Sequence, residues 1–234
     1  MKHRQQFEKP IILGGQLSTR SVNSWRMLGT NLLLAAAITG FTGCASTKPD
    51  KYFQMSIPNS AAIAPSNDSS VTLTIASLSA TPLYQQNGIV YTAASGQMGT
   101  YGHDRWTESP TDMMQQLLMR SLRASGRYRG VYTLRNDPSA SLVIHGRIHD
   151  FREVDLAKNS ILTRVSFELE LRDRKNGTTL WTHYYDHYEP VDGKEMKAVV
   201  AAFDKNVHLG IEEATASLNR YFASHPIQVA SESK

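Results

Sequence analysis

Apolar and polar positions alternate along this chain with two distinct periods. Val71 to Ser79 changes polarity at nearly every residue, the pattern of a strand with one face on a core, and Thr81-Pro82 ends it. Ile89 to Thr92 follows the Asn87-Gly88 turn signal as a second short strand, and Val131 to Leu134 is a third. Three longer segments come later: Leu142 to Val154, Leu162 to Arg172, and Thr178 to Tyr188, the last two joined through the Asn176-Gly177 hairpin signal. In the first of them Val143, His145, Arg147, His149 and Phe151 are expected on one face. In the second, Val165, Phe167, Leu169 and Leu171 alternate with Arg164, Ser166, Glu168, Glu170 and Arg172. They read as an antiparallel meander whose charged and aromatic face is wet.

Two stretches change to helical spacing. Ser109-Pro110-Thr111-Asp112 supplies an N-cap, a proline at the first helical position and an acid three residues after the cap. Met114, Leu117, Leu118 and Leu122 form the apolar stripe behind it, and Gly126 is placed to end the helix. A longer helix is predicted from Gly193 to about Phe222, capped by Asp192, with Met196, Val199, Val200, Phe203, Val207, Ile211, Ala214, Leu218 and Phe222 on one face. The elements together predict a single α+β domain: a mixed, mostly antiparallel sheet covered on one face by two main helices. Gly96, Gly99 and Gly102 match neither a dinucleotide nor a phosphate-loop fingerprint and read as a flexible loop.

Ahead of the domain the pattern is different again. Met27 to Gly43 is 17 residues without a charge, and it ends at Phe41-Thr42-Gly43-Cys44-Ala45-Ser46, which holds the only cysteine. Lys2, Arg4, Lys9, Arg20 and Arg26 precede the run against one acid, Glu8. Small residues before a cysteine at the end of a short apolar run resemble the bacterial lipobox, with Phe41 where an aliphatic is usual. That resemblance implies a diacylglyceryl group on Cys44 and removal of the signal; the other reading is a buried free thiol. The expected boundaries are therefore 1–43 signal peptide, 44–70 lipidated Cys44 and tether, 71–223 folded domain, 224–234 frayed tail. Within the tether, Lys51 to Met55 alternates and is a candidate to pair with a sheet edge. By the same resemblance, Ala45 and Ser46 after the cysteine imply export to the outer membrane, facing the periplasm.

Charge changes its meaning once the signal is set aside. The full chain has 25 Lys and Arg against 21 Asp and Glu. Five of the basic residues and one acid precede Cys44, which leaves 20 of each. A neutral mature chain gives no basis for nucleic-acid binding.

Candidate chemistry is sparse. His145 and His149, and His183 and His187, lie four apart, so each pair shares a strand face with the rings roughly 13 Å apart, too far for one ion. A metal site would need one histidine from each of two strands; otherwise these are solvated polar positions. No nucleophile elbow is present, and the carboxylates are scattered, so no enzyme, cofactor or metal is expected. Arg120, Arg123, Arg127 and Arg129 either complement the first helix's dipole or form a basic patch. Arg105 and Trp106 are the residue types that dominate interfaces, and with Tyr91 and Tyr101 they are the candidate partner-binding residues; the other reading of Trp106 is a lid on the core.

The chain from about Tyr52 to Phe222 resembles the ABC-type transport auxiliary lipoproteins, whose best-known members belong to the paraquat-inducible Pqi system. The resemblance rests on Ile89-Val90-Tyr91, Tyr101, Arg105-Trp106, Pro110, Met114, Leu118, Leu122 and Ser125-Gly126-Arg127-Tyr128 with Val131, and on Ala140 to Ile148 with Asp150-Phe151. It implies a lipid-anchored accessory that docks an MCE-type transport machine carrying lipids between membranes, with a homo-oligomer around the docked end. A regulator of cell-wall synthesis or envelope assembly is the competing reading.

Overall fold

The 15-residue strand β7 (Leu142–Leu156) organises the sheet. In the computed structural model, which describes residues 48–57, 71–137, 140–156 and 160–225, both edges of this strand are occupied. On one edge runs β8 (Ser160–Asp173), antiparallel over its whole length, and beyond it β9 (Thr179–Pro190). The other edge is shared by three short strands, all parallel to β7. They are β2 (Thr72–Ile75), β3 (Ser79–Ala80) and β4 (Gly88–Thr92). Beyond β2 lies β6 (Gly130–Thr133), and beyond β4 lie β5 (Met98–Trp106) and β1 (Lys51–Phe53). The sheet is mixed: the meander supplies the long antiparallel ladders and the N-terminal strands add parallel pairings.

Helices α1 (Pro110–Ala124) and α2 (Met196–Ser224) pack with the sheet around one core. At the start of α1 the Ser109 hydroxyl accepts the Asp112 N–H, and Gly126, at φ 64°, stops the helix. Arg123 donates to the Val131 carbonyl at 3.0 and 2.6 Å, tying the helix end to β6. Of the arginine cluster, it therefore has a structural task. The predicted stripe of α2 holds, but the helix begins three residues later than Gly193. Glu195 occupies the cap position and Gly193, at φ 128°, lies outside helical geometry.

Three other expectations are corrected. Val71 to Ser79 is not one half-exposed strand: β2 covers only Thr72 to Ile75, between β6 and β7, and Leu73, Thr74 and Ile75 are all fully buried although they alternate between the two faces. The glycine loop is a hairpin strand: Gly96, at φ 83°, makes the turn, and the Tyr91 ring lies across Gly99 where a Cβ would come within 2.8 Å of it. The alternation of β7 is broken by a register shift between Ile148 and Asp150. This bulge moves Phe151 to the core face with Ile144 and Ile148, away from His145 and His149. The alternating stretch Lys51 to Met55 does pair with a sheet edge, as its pattern predicts: β1 pairs with Asp104 to Trp106, and Met55 is buried. Residues 58–70, like the signal segment, Cys44 and the tail from 226, lie outside the described residues.

Close packing beneath α2 produces one sharp constraint. Gly210 sits against Phe167 and Tyr185, and a Cβ there would come within 2.8 Å of both rings. The Tyr185 hydroxyl is fixed by the Asn206 side chain at 2.8 Å, so that ring cannot retreat freely. Alanine gains about 1 kcal/mol of helix propensity over glycine, whereas overpacking a closed core costs about 1–3 kcal/mol. Gly210→Ala should therefore lower stability, by up to about 2 kcal/mol net, in urea unfolding monitored by circular dichroism. A gain in stability would show that the helix can lift off the sheet at this point.

Candidate functional site

The four residues singled out as partner-binding do not form one surface. Trp106 is 0 % exposed, edge-on to Phe151 at 5.9 Å and to Phe203 at 5.5 Å, while Phe151 and Phe203 stack at 4.7 Å. It is a core residue and not a docking residue: β5 turns it inward at the last residue of the strand. Tyr101 donates its hydroxyl to the Glu153 carboxylate, 3.0 and 2.9 Å from its two oxygens. Tyr91 packs its ring 5.0 Å from that of Tyr101. Both tyrosines are half-buried and brace the β4–β5 hairpin. Only Arg105 keeps an outward role, with Nε 3.1 Å from Asp50, which also lies 3.3 Å from His103. Those two neighbours, His103 first, hold the Asp50 carboxyl below its ordinary pKa.

Glu153 is the costly group at this margin. It is 4 % exposed on β7, and burial raises its pKa above the ordinary carboxylate value, with the Tyr101 hydrogen bond opposing. The same burial, with Glu153 alongside, pushes the Tyr101 hydroxyl upward.

The outward face of the meander carries a different arrangement. Asp150, 6 % exposed beside the bulge, accepts from the Tyr84 hydroxyl at 2.9 Å and pairs with Arg152 and Arg164, each at 3.1 Å. Arg164 also grips Asp186 through two parallel bonds of 3.0 and 2.9 Å, and this bidentate contact depresses the Asp186 pKa. Its guanidinium lies 5.1 Å from the Tyr188 ring centroid. Next to it the Ser166 hydroxyl donates to Tyr184 at 3.1 Å, and His149 stands 6.0 Å from the Tyr184 ring. Tyr184 is 58 % and Tyr188 44 % exposed. Isolated surface ion pairs contribute about 0–1 kcal/mol, but a bidentate network around a buried carboxylate fixes rotamers in advance. Arginine and tyrosine side chains so held lose less entropy when something docks on them. The sequence pattern alone marks these positions as a solvated face. The signal available was two tyrosines, Tyr184 and Tyr188, at positions of the polar parity of β9.

The histidines separate cleanly. His145 and His149 lie on this outward face, whereas Trp181, His183, Tyr185 and His187 alternate toward α2. His183 stacks on Trp181 at 5.9 Å, and burial lowers its pKa. One ion cannot bridge pairs on opposite faces, and among the described residues no three His, Cys, Asp or Glu side chains converge as a metal site.

A family model, the ABC-type transport auxiliary lipoprotein component, matches residues 53–212, and the chain belongs to that family. The fold is similar to the crystal structure of protein XCC0632 from Xanthomonas campestris, with 15 % identity and a TM-score of 0.63, over 75 % of this chain and 98 % of that one. A second solved structure, of an uncharacterized protein, is similar with 14 % identity and a TM-score of 0.53, over 74 % and 98 % of the two chains. No curated protein matches the sequence.

The buried carboxylate sets a pH dependence. Because the folded-state pKa of Glu153 is raised, the folded chain binds the proton more tightly than the unfolded chain. This group's penalty is absent below the ordinary carboxylate pKa and grows as pH rises from that value through the raised one. Glu153→Gln, which keeps an acceptor for Tyr101, should flatten that part of the profile. Thermal melts from pH 4 to pH 8 check this: the variant should gain on the wild type as pH rises, and a constant difference would contradict it.

Proposed function

We propose that this protein is a lipid-anchored, periplasm-facing accessory of an MCE-type, Pqi-like intermembrane lipid transport system, held at the outer membrane through Cys44. The family match over 53–212 carries the reading. The lipobox-like run ending at Cys44 and the absence of Asp from the next two positions, Ala45 and Ser46, support the anchor and its membrane. Among the described residues no helix is long and apolar enough to cross a membrane, consistent with attachment through the N-terminal segment.

In physical terms the subunit contributes position. Acyl chains on one membrane confine its docking face near a partner rooted in the other, which raises the local concentration of that face without any new contact. The docking face is the ordered outer side of the meander around Tyr184, Tyr188 and Arg164. Copies assembling around the partner would present this face repeatedly.

Affinity purification of the full chain from its own membranes in mild detergent tests the proposal. An MCE-domain protein should co-purify, its recovery should fall at least tenfold with the pair Tyr184→Ala and Tyr188→Ala, and Cys44→Ser should move the protein from the membrane to the soluble fraction. Recovery of peptidoglycan-synthesis enzymes without an MCE-domain protein would overturn it.

A further inference from the structure

We infer that the β1–β5 margin of the domain lies against the phospholipid headgroups of the membrane that holds Cys44; this inference rests on the lipid anchor of the proposed function. Three residues, Ala45, Ser46 and Thr47, separate Cys44 from Lys48, where the described domain begins. Fully extended, that connection spans about 14 Å at roughly 3.5 Å per residue. A flexible tether of about 20 residues would instead give a root-mean-square reach of about 25 Å and leave the domain free to turn.

The start of the domain is also firmly held. Asp50 bonds Arg105 at 3.1 Å, Tyr52 stands in register with Arg105 and Phe53 with Trp106, and the Thr107 N–H donates to the Phe53 carbonyl at 2.9 Å. A short leash on a fixed point leaves few orientations. The side chains offered there suit a headgroup layer: Tyr52 is 59 % exposed, and Lys48 and Lys51 are exposed on either side of the Asp50 clamp. An amphipathic ring flanked by lysines, whose stems lie along apolar matter while their ammonium groups reach phosphate, is the composition of a membrane interface. Strand β9, with Tyr184 and Tyr188, borders another margin of the sheet, five strands from β1 in pairing order, so a domain seated on β1 holds those tyrosines apart from the headgroups.

The single native cysteine makes the test clean, because thioether formation at Cys44 leaves an introduced thiol as the one labelling site. The lipidated full chain carrying Tyr52→Cys or Tyr184→Cys would be labelled with a nitroxide in vesicles of phosphatidylethanolamine and phosphatidylglycerol. Collision with oxygen and with a water-soluble nickel chelate would then be compared. The label at 52 should be shielded from the chelate and accessible to oxygen, while that at 184 remains open to both. Equal chelate accessibility at the two positions, on protein that floats with the vesicles and carries lipid mass on its N-terminus, would overturn the inference and leave the anchor intact. An N-terminus without lipid mass would overturn the anchor and, with it, this seating.

Discussion

The register of β7 is the constraint on which the rest of the structure depends. Fourteen residues of β8 are paired along one edge, and β2, β3 and β4 share the other. A one-residue slip would exchange every inward and outward side chain. The register shift after Ile148 lets one strand serve two ends of the molecule. It brings Phe151 under Phe203 and Trp106, and it leaves Asp150 facing outward within reach of Tyr84, Arg152 and Arg164. The core and the outer polar network are therefore consequences of the same backbone irregularity.

Much of this was legible in the chain. The meander, both helices, the Ser109 cap and the apolar stripe of α2 follow from periods of two and 3.6, which depend on local geometry alone. What was not legible depends on neighbours distant in sequence. The alternation of β2 suggests an exposed face, yet Leu73, Thr74 and Ile75 are all buried, and whether both faces of a strand are covered depends on layers supplied from elsewhere in the chain. The glycines of β5 suggested a loop, because nothing local announces that Tyr91 will cover Gly99 from across the hairpin. Phe151 was placed with the histidines because a bulge leaves no mark on hydrophobic alternation until its cross-strand partners are known.

The candidate surface shows the same division. Residue type drew attention to Arg105, Trp106, Tyr91 and Tyr101, yet type does not say which way β5 turns. Trp106 went to the core and Tyr101 to Glu153. The exposed tyrosines of β9 were hidden among charges that looked like ordinary solvated positions, and only the pairing of β8 with β9 sets Arg164 beside both Asp186 and Tyr188. Family membership was more robust than either, since it rests on the whole pattern between residues 53 and 212.

The late place of β7 in the chain bears on how the protein acquires its shape. Strands β2, β3 and β4 all lean on a strand that begins at Leu142, so a polypeptide emerging N-terminus first has most of its length exposed before their common support arrives. Until then the β4–β5 hairpin and the β1–β5 and β2–β6 ladders are the pairings available, and the ladders onto β7 must wait for loop closures over dozens of residues. The interval before Leu156 has been made is when unpaired strand edges most need shelter from other chains.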